Sequence, residues 1–384
     1  MIRTFAALAA LSLAALPAAA QESGGFVLRL GRDTVVVEQF TRTAGRIEGT
    51  MVARTPRTSV RSYTATLRPD GTIAQLEMTT RIPSAPELLP QTLTIVMGTD
   101  SADWRIQRGD TVREGRVAAT AEAYPWIGNS YALAEPVIRA ARARNVDSAA
   151  VPVVQAGARQ TGTVSFIRRG ADSVLIRSGS GVARARVDAQ GRVLGARSPE
   201  STFKADVERV ASLDVNAIAA GWARRDQSGQ QMGSLSPRDS VGMMVDGADV
   251  SVAYGRPSLR GRTLAILTPA GQVWRTGANE ATHFRTSRDL VVGGTRVPAG
   301  SYTLWTVPGP DGWTLIINRQ TGQWGTVYDP AQDLARIPVT ARRTGGEPVE
   351  QFTMRFDESS CGEGAVLAME WADTRVMVPF TVAP

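Results

Sequence analysis

Apolar and polar residues alternate with a period of two through much of residues 21–226, a pattern typical of β-strands with one buried face. Residues 34–40, 62–67 and 72–78 are β-rich runs of ordinary strand length, and the Asp-Gly pair between the last two is a strong hairpin signal. Residues 183–196 repeat the arrangement around a second turn that contains Asp and Gly. The pattern predicts a long antiparallel meander or half-barrel in the first half of the chain.

Two stretches of the first half have a helical period instead. Residues 131–144 repeat apolar residues at helical spacing on one side, so they predict an amphipathic helix. Pro136 within this stretch is tolerated only in a first turn or at a kink. A second helix is predicted near residues 212–225, with Asp214 in an acidic first turn. We therefore expect one helix inserted in the meander and one at its end.

The second half of the chain is patterned almost entirely as strands. Residues 301–308 and 313–318 flank a Gly-Pro-Asp-Gly turn and predict a hairpin. Alternation places Tyr302 and Leu304 on one face of the first strand and Trp305 on the other. A polar, Gly/Ser-rich stretch separates this half from the meander. The fold prediction is a mostly β protein: the meander domain at 21–226, a linker at 227–237, and an all-β, sandwich-like domain at 238–384.

The N-terminus has the pattern of an export signal. Arg3 precedes a short apolar run, and three alanines stand directly before Gln21. We therefore predict a signal peptide at residues 1–20, cleaved before Gln21, and a secreted or periplasmic mature protein. No later stretch approaches the ~18 consecutive apolar residues of a membrane helix, so no transmembrane segment is expected.

Composition narrows the classes of partner and chemistry. The formal net charge is +7, but Lys204 is the only lysine and the basic surplus lies before residue 236, without basic runs. Nucleic acid is therefore not an expected partner, whereas an acidic glycan or lipid surface remains open. Cys361 and His283 are the only cysteine and histidine, so the chain offers no metal-ligand cluster, and no cofactor motif occurs. Cys361 is expected to be a buried or unreactive thiol, and His283 a surface residue.

Aromatic and polar residues of the second half form the candidate ligand site. Several tryptophans could stack on sugar rings, although a sandwich core rich in tryptophan explains them more simply. The polar residues that follow Trp274 could form a pocket for a small ligand or an internal network of ion pairs, and we favour the network. The candidate residues are Tyr254, Arg256, Arg262, Trp274, Arg275, Asn279, Glu280, Thr282, Trp305, Gln323 and Trp324.

Glu280 is the one candidate for catalysis. If residues 279–285 form a strand, Glu280 lies on the same face as Phe284 and needs a partner such as Arg256, Arg262 or Arg275. A glycosidase requires a second carboxylate across a cleft, and the sequence nominates none. His283 would lie on the opposite face, which argues against a dyad with Glu280.

Four segments of the second half carry a family resemblance. They are the AYGRP string followed by RGR (residues 253–262), the WRTGANEAT string (274–282), PAGSYTL (298–304), and IN followed by QWG (317–325). Residues ~236–384 resemble the bacterial secreted family called domain of unknown function twenty-nine-eleven (DUF2911). The resemblance implies an extracytoplasmic β domain, and it implies no activity, substrate or catalytic residue.

Three functions are compatible with these observations. The leading hypothesis is a non-catalytic binding or interaction protein of the cell envelope, with a glycan or a lipid as ligand. The alternatives are a carbohydrate hydrolase that uses Glu280 and a purely structural envelope protein. A binding protein would leave Glu280 paired with an arginine, whereas a hydrolase would place it in an open pocket with a second carboxylate within ~5–10 Å.

Overall fold

A computed structural model describes residues 21–384 except 144, 179–180, 199–203, 310–311 and 360–361. The predicted signal peptide and Cys361 lie outside the described residues. The described chain forms two large sheets, one from each half, and three helices. The predicted fold class, a meander with helices followed by a β domain, is confirmed.

The first sheet contains fifteen strands and has helices on both faces. The elements are β1 (Glu22–Leu30), β2 (Asp33–Arg42), β3 (Arg46–Ala53), β4 (Ser59–Leu67), β5 (Ile73–Arg81), β6 (Gln91–Met97), β7 (Ser101–Arg108), β8 (Thr111–Ala118), β9 (Tyr124–Pro125), α1 (Tyr131–Ala143), β10 (Ser148–Val154), β11 (Gly162–Arg168), β12 (Ser173–Ser178), β13 (Gly181–Val187), β14 (Val193–Arg197), β15 (Asp206–Val210) and α2 (Val215–Gln227). Successive strands pair antiparallel from β1 to β8 and from β10 to β15, β9 pairs in parallel with β10, and β1 joins the two runs by pairing with β15.

Alternation along β1 explains why both faces of this sheet are covered. Phe26 and Leu28 belong to the main core together with the apolar side of α1, whereas Val27 faces α2. A strand that is buried on both faces needs apolar residues at successive positions, which β1 supplies. The sheet also curves, since β9 at one end lies close to β5 and β6. Helix α1 is therefore enclosed by the sheet.

The second sheet contains eleven strands that enclose a separate core. The elements are β16 (Arg238–Val245), β17 (Ala248–Gly255), α3 (Leu264–Leu267), β18 (Thr282–Thr286), β19 (Leu290–Val292), β20 (Thr295–Val297), β21 (Gly300–Pro308), β22 (Trp313–Asn318), a 3-10 turn (Pro330–Gln332), β23 (Asp333–Arg343), β24 (Val349–Glu358), β25 (Ala365–Ala372) and β26 (Thr374–Val382). The first part of β23 pairs with β22 and its last part with β26, so this strand passes from one layer to the other.

The predicted hairpin is formed by β21 and β22, and the side chains of β21 lie on the predicted faces. Tyr302 and Leu304 are buried in the main core of the second sheet, whereas Trp305 packs on the other face against Tyr328. Most of the tryptophans in this half are also core residues, as the simpler explanation of their abundance required. Among the described residues, no helix is long and apolar enough to cross a membrane.

Candidate functional site

A cleft of about 460 Å³ lies where the second sheet meets the first. Most of its lining comes from the loops around α3, the segment 272–279 and the segment 325–328, and the first half contributes Leu30 and Lys204. The tip of the β1–β2 hairpin holds the two halves together here: Arg32 N donates to the carbonyl oxygen of Arg260 (2.9 Å), and the Arg260 guanidinium pairs with Asp33 (2.7 Å).

Aromatic side chains form the apolar wall of the cleft. The ring of Trp274 stacks on that of Trp371, with centroids 5.6 Å apart and planes 18° from parallel. Trp305 lies against Tyr328 with centroids 4.9 Å apart. Trp305 and Trp371 are almost fully buried, so a ligand would meet only the edges and partial faces of these rings. Offset ring contacts of this kind make a rigid apolar surface.

The charged side chains that line the cleft are all basic. Lys204, Arg260, Arg262 and Arg275 line it, and of its described lining residues none is Asp or Glu. Arg262 donates only to main-chain oxygens, those of Leu259 (2.9 Å) and Ser258 (2.8 Å). A concave surface that carries one sign of charge attracts ligands of the opposite sign.

Arg275 is the most distinctive of these cations. Its Nη1 donates to the carbonyl oxygen of Asn279 (3.1 Å), and no described carboxylate lies within ion-pair distance of it. Burial lowers the pKa of Arg275, and burial likewise is the main cause of the lowered pKa of Arg262. Removing a guanidinium from water without a counter-charge costs free energy, and a bound anion would offset that cost.

The loop before β18 fixes the position of Arg275. Thr276 and Asn279 have positive φ angles of 53° and 64°, and Thr282 Oγ1 donates to the carbonyl oxygen of Thr276 (2.8 Å). The carbonyl oxygen of Asn279 also accepts from Gly325 N (2.9 Å). A side chain at Gly325 would overlap Cδ of Arg275, so a residue without a Cβ is required there. Two segments that are distant in sequence thus hold one guanidinium.

Five of the predicted site residues line this cleft, and six do not. The five are Arg262, Trp274, Arg275, Asn279 and Trp305. Tyr254 is a core residue whose hydroxyl accepts from Met354 N (2.8 Å), and Arg256 joins β17 to β24 through Thr353 (2.8 Å). Thr282 and Gln323 are held by local hydrogen bonds, Gln323 to Thr303 Oγ1 (3.1 Å). Trp324 is exposed beside the cleft, and Glu280 is exposed as well.

Glu280 differs from its predicted setting. The strand begins at Thr282, not at residue 279, so Glu280 lies in the preceding loop, paired only by a single backbone bridge to Trp324. Its carboxylate is 54% exposed and pairs with Arg238, which is a different arginine from the three that the sequence suggested. The cleft-lining residues do not include it. His283 was predicted to be a surface residue, but it is half-buried. Its Nε2 accepts a hydrogen bond from Gly322 N (2.9 Å).

Sequence patterns missed several cleft residues because these belong to distant segments. Strand pairing and the contact between halves bring four of them next to the WRTGANEAT segment: Lys204, Arg260, Tyr328 and Trp371. Arg260 lies in the RGR string that carries the family resemblance, which is the one signal that could have indicated it. No pattern marks Lys204 or Trp371.

A second cavity lies beside α1 and has a different character. It measures about 330 Å³ and is lined mainly by small apolar residues of α1 and β10, together with Asp70 and Glu122. The hydroxyl and main-chain N–H of Thr72 donate to Asp70, and these bonds lower the pKa of the Asp70 carboxyl. Among the described residues there is no group of three or more potential metal ligands. Because carboxylates line this second cavity and basic residues line the first cleft, the first cleft is the better candidate site for an anionic ligand.

Comparison with known proteins agrees with the motifs of the second half. Residues 236–380 match the family model described as protein of unknown function DUF2911, which confirms the resemblance inferred from the sequence. No curated protein matches the chain. A crystal structure of a DUF1089-family protein from Pseudomonas aeruginosa is 17% identical over 43% of this chain and 90% of that chain, with a TM-score of 0.32. At that score the similarity supports no conclusion about fold or function.

Proposed function

We propose that this protein is an exported, non-catalytic binding protein of the cell envelope, and that it binds an anionic glycan in the cleft between its two sheets. The observation that carries the proposal is the lining of the cleft. Four basic residues, of which Arg260 is paired with Asp33, and several aromatic rings line the cleft, and none of the described lining residues is a carboxylate.

The charge of the lining indicates the ligand's acidic group. Arg275 and Arg262 donate to main-chain oxygens and retain further N–H groups on their guanidinium forks. An arginine fork matches the geometry of a carboxylate or a phosphate, and charge-assisted hydrogen bonds are roughly twice as strong as neutral ones. The ligand is therefore expected to carry one of these anions.

The remaining lining favours a saccharide over an acyl chain. Asn279, Gln272, Ser236 and Ser258 place amide and hydroxyl groups beside the tryptophan surfaces. This mixture suits a sugar ring, which presents hydroxyls at its edge and an apolar face. The volume of about 460 Å³ lies within the ~300–1,000 Å³ that is usual for small-ligand sites.

The two alternatives fit the site less well. A hydrolase would need paired carboxylates across the cleft, whereas Glu280 lies outside the cleft and is neutralised by Arg238. Arg262 and Arg275 are half-buried and form no ion pair with a described carboxylate, and their partial desolvation brings no benefit to a purely structural protein. Export follows from the signal-like pattern of residues 1–20 and remains part of the proposal.

Isothermal titration calorimetry tests the proposal on the mature chain. The probes are an oligogalacturonate, a hexose phosphate and a neutral maltooligosaccharide of similar size. We expect at least one acidic probe to bind and the neutral one to bind much more weakly. Arg275→Gln should weaken the binding roughly 10- to 100-fold, since a hydrogen bond to a charged group contributes about 1.5–3 kcal/mol.

Two further variants make the titration decisive. Arg285→Gln removes one positive charge from an exposed site on β18, outside the cleft, and should leave the affinity unchanged. Glu280→Gln should also bind as the wild type does. Equal affinity for acidic and neutral probes, or an equal loss in the Arg285 variant, would contradict the proposal. Release of reducing ends that requires Glu280 would support the hydrolase instead.

A further inference from the structure

Four exposed apolar side chains flank the mouth of the cleft. We name them the apolar rim: Ile266, Val273, Trp324 and Val327. Ile266, Trp324 and Val327 are each 51% exposed, and Val273 is 39% exposed. Each of them lines the cleft or is adjacent in sequence to a residue that does. Among the described residues from β16 onward, the remaining large apolar side chain that is exposed is Met244. Exposed apolar residues of this half are thus concentrated at one place.

A turn built into the site displays half of this rim. Val327 N donates to the carbonyl oxygen of Trp324 (2.9 Å), so the two apolar residues are the first and last residues of one four-residue turn. The residues between them, Gly325 and Thr326, line the cleft. Gly325 N is bound to Asn279, the residue that also anchors Arg275. The same contacts therefore position the Arg275 guanidinium and hold Trp324 and Val327 beside it.

This combination has the chemistry of a membrane-surface contact. Tryptophan is favoured at the boundary between water and lipid, where its ring is partly apolar and its N–H stays hydrated. Peripheral proteins bind anionic bilayers through shallow insertion of such residues together with nearby Lys and Arg. Glu280 lies next to Trp324 and would oppose an anionic surface, but Arg238 neutralises it.

We propose that the apolar rim docks this protein onto an anionic lipid surface, with the mouth of the cleft facing the head groups. Trp324 and Val327 enter the head-group region, and Arg262 and Arg275, which form no ion pair with a described carboxylate, attract the anionic lipids. This inference goes beyond ligand binding in the cleft and is testable without any glycan. It also gives the cleft access to a glycan that is carried as a lipid head group.

Vesicle co-sedimentation tests the docking. The probes are vesicles of phosphatidylcholine alone and vesicles with about one third phosphatidylglycerol, in about 0.1 M and about 0.5 M NaCl. We expect the wild type to bind the anionic vesicles, less at high salt, and the neutral vesicles weakly. The double variant Trp324→Ser/Val327→Ser should lose roughly ten-fold or more of this binding, because both inserted side chains are removed.

Matched controls separate docking from general effects. Met244→Ser removes an apolar side chain that is even more exposed (66%) and does not line the cleft, and its vesicle binding should equal that of the wild type. Unchanged vesicle binding by the double variant, or no vesicle binding by the wild type, would overturn the inference. Self-association of the wild type that the double variant abolishes, in the absence of vesicle binding, would assign the rim to a second copy of the chain.

The same variants distinguish this inference from the proposed function. The double variant retains the cleft lining, so it should bind a soluble acidic oligosaccharide as the wild type does. Arg275→Gln should lose the oligosaccharide and keep most of the vesicle binding, since the other cations and the rim remain. If the wild type itself binds the vesicles but none of the acidic oligosaccharides, the proposed glycan ligand is refuted and the lipid contact remains supported.

Discussion

Glu22 and Glu135 share three arginines beside α1. Glu135 is fully buried and accepts from Arg42 (2.6 Å), Arg209 (2.7 Å) and the main-chain N–H of Val193 (2.8 Å). Glu22 accepts from Arg209 (2.8 Å) and Arg139 (2.8 Å). Burial is costly for any one of these charges, and the mutual pairing offsets that cost. The cluster connects β1, β2, α1 and β15, which are separate in sequence.

The Glu22 carboxyl gives a pH-dependent contribution to stability. Burial acts to raise its pKa, but the hydrogen bond from Arg139 and the charges of Arg42, Arg139 and Arg209 outweigh burial and hold the pKa below the ordinary 4.5. A lowered pKa means that the unfolded state binds more protons. The contribution is therefore present above pH 4.5 and is lost as the pH falls through the folded-state value.

Glu22→Gln should lower the free energy of unfolding by about 1.5–3 kcal/mol near pH 7, because charge-assisted bonds are lost. The deficit should shrink as the pH falls below 4.5, where the wild-type carboxyl also becomes neutral. Urea unfolding at a series of pH values measures it. Glu208→Gln, which removes an exposed partner of Arg29, should cost less than about 1 kcal/mol. A deficit that is independent of pH would contradict the assignment.

Pro136 shows how an element solves a local problem with a tertiary contact. It lies beyond the first turn of α1, so its missing N–H leaves the carbonyl oxygen of Ala132 without a helical donor. Arg42 Nη2 donates to that oxygen at 2.8 Å. The sequence restricted Pro136 to a first turn or a kink, and an arginine on β2 supplies the bond that the helix cannot make.

A double-mutant cycle on Arg42 and Pro136 tests this compensation. Arg42→Met should destabilise the protein by about 3–5 kcal/mol, because it breaks a buried ion pair and leaves Ala132 unsatisfied. In a Pro136→Ala background the residue 136 N–H can bond Ala132, so the cost should fall by roughly 1 kcal/mol.

The control cycle replaces Arg42→Met by Arg139→Met. Arg139 pairs with Glu22 and Glu135 but donates no bond to Ala132. Its coupling to Pro136→Ala should therefore be near zero. Equal coupling in the two cycles would show that the proline acts through helix propensity alone.

The contact between the two halves depends on a glycine at the tip of the β1–β2 hairpin. Gly31 has φ +59°, and a Cβ there would overlap the carbonyl oxygen of Arg260. Arg32 N bonds the same oxygen, and Asp33 pairs with the Arg260 side chain. Three successive residues of the first half thus position one residue of the cleft.

Gly31→Ala and Gly71→Ala separate this contact from backbone strain. Gly71 also has a positive φ, +81°, but nothing lies within 4 Å of its missing Cβ. Both variants should lose about 1–2 kcal/mol through left-handed strain, whereas Gly31→Ala should also displace Arg260. We expect faster proteolysis within residues 227–237 and weaker cleft binding for Gly31→Ala only. Identical proteolysis of the two variants would contradict the role of Gly31.

The sequence by itself determined the class of fold, because the hydrophobic periods of strands and helices are properties of the local sequence. Alternation in the sequence correctly placed Leu304 and Trp305 on opposite faces of β21. The motifs around Trp274 likewise indicated the family of the second half. The sequence also indicated that tryptophans such as Trp313 serve the core, since a β domain of this size needs large buried side chains.

Tertiary structure alone decided the membership of the cleft. Strand β18 begins at Thr282, three residues later than the start at residue 279 that alternation predicted, and Glu280 therefore lies on the surface beside Arg238. Lys204, Arg260 and Trp371 join Arg275 through long-range pairing and the contact between halves, and no local pattern encodes such distances. The charge of the cleft depends on which residues the fold brings together, so it could not be predicted from the local sequence.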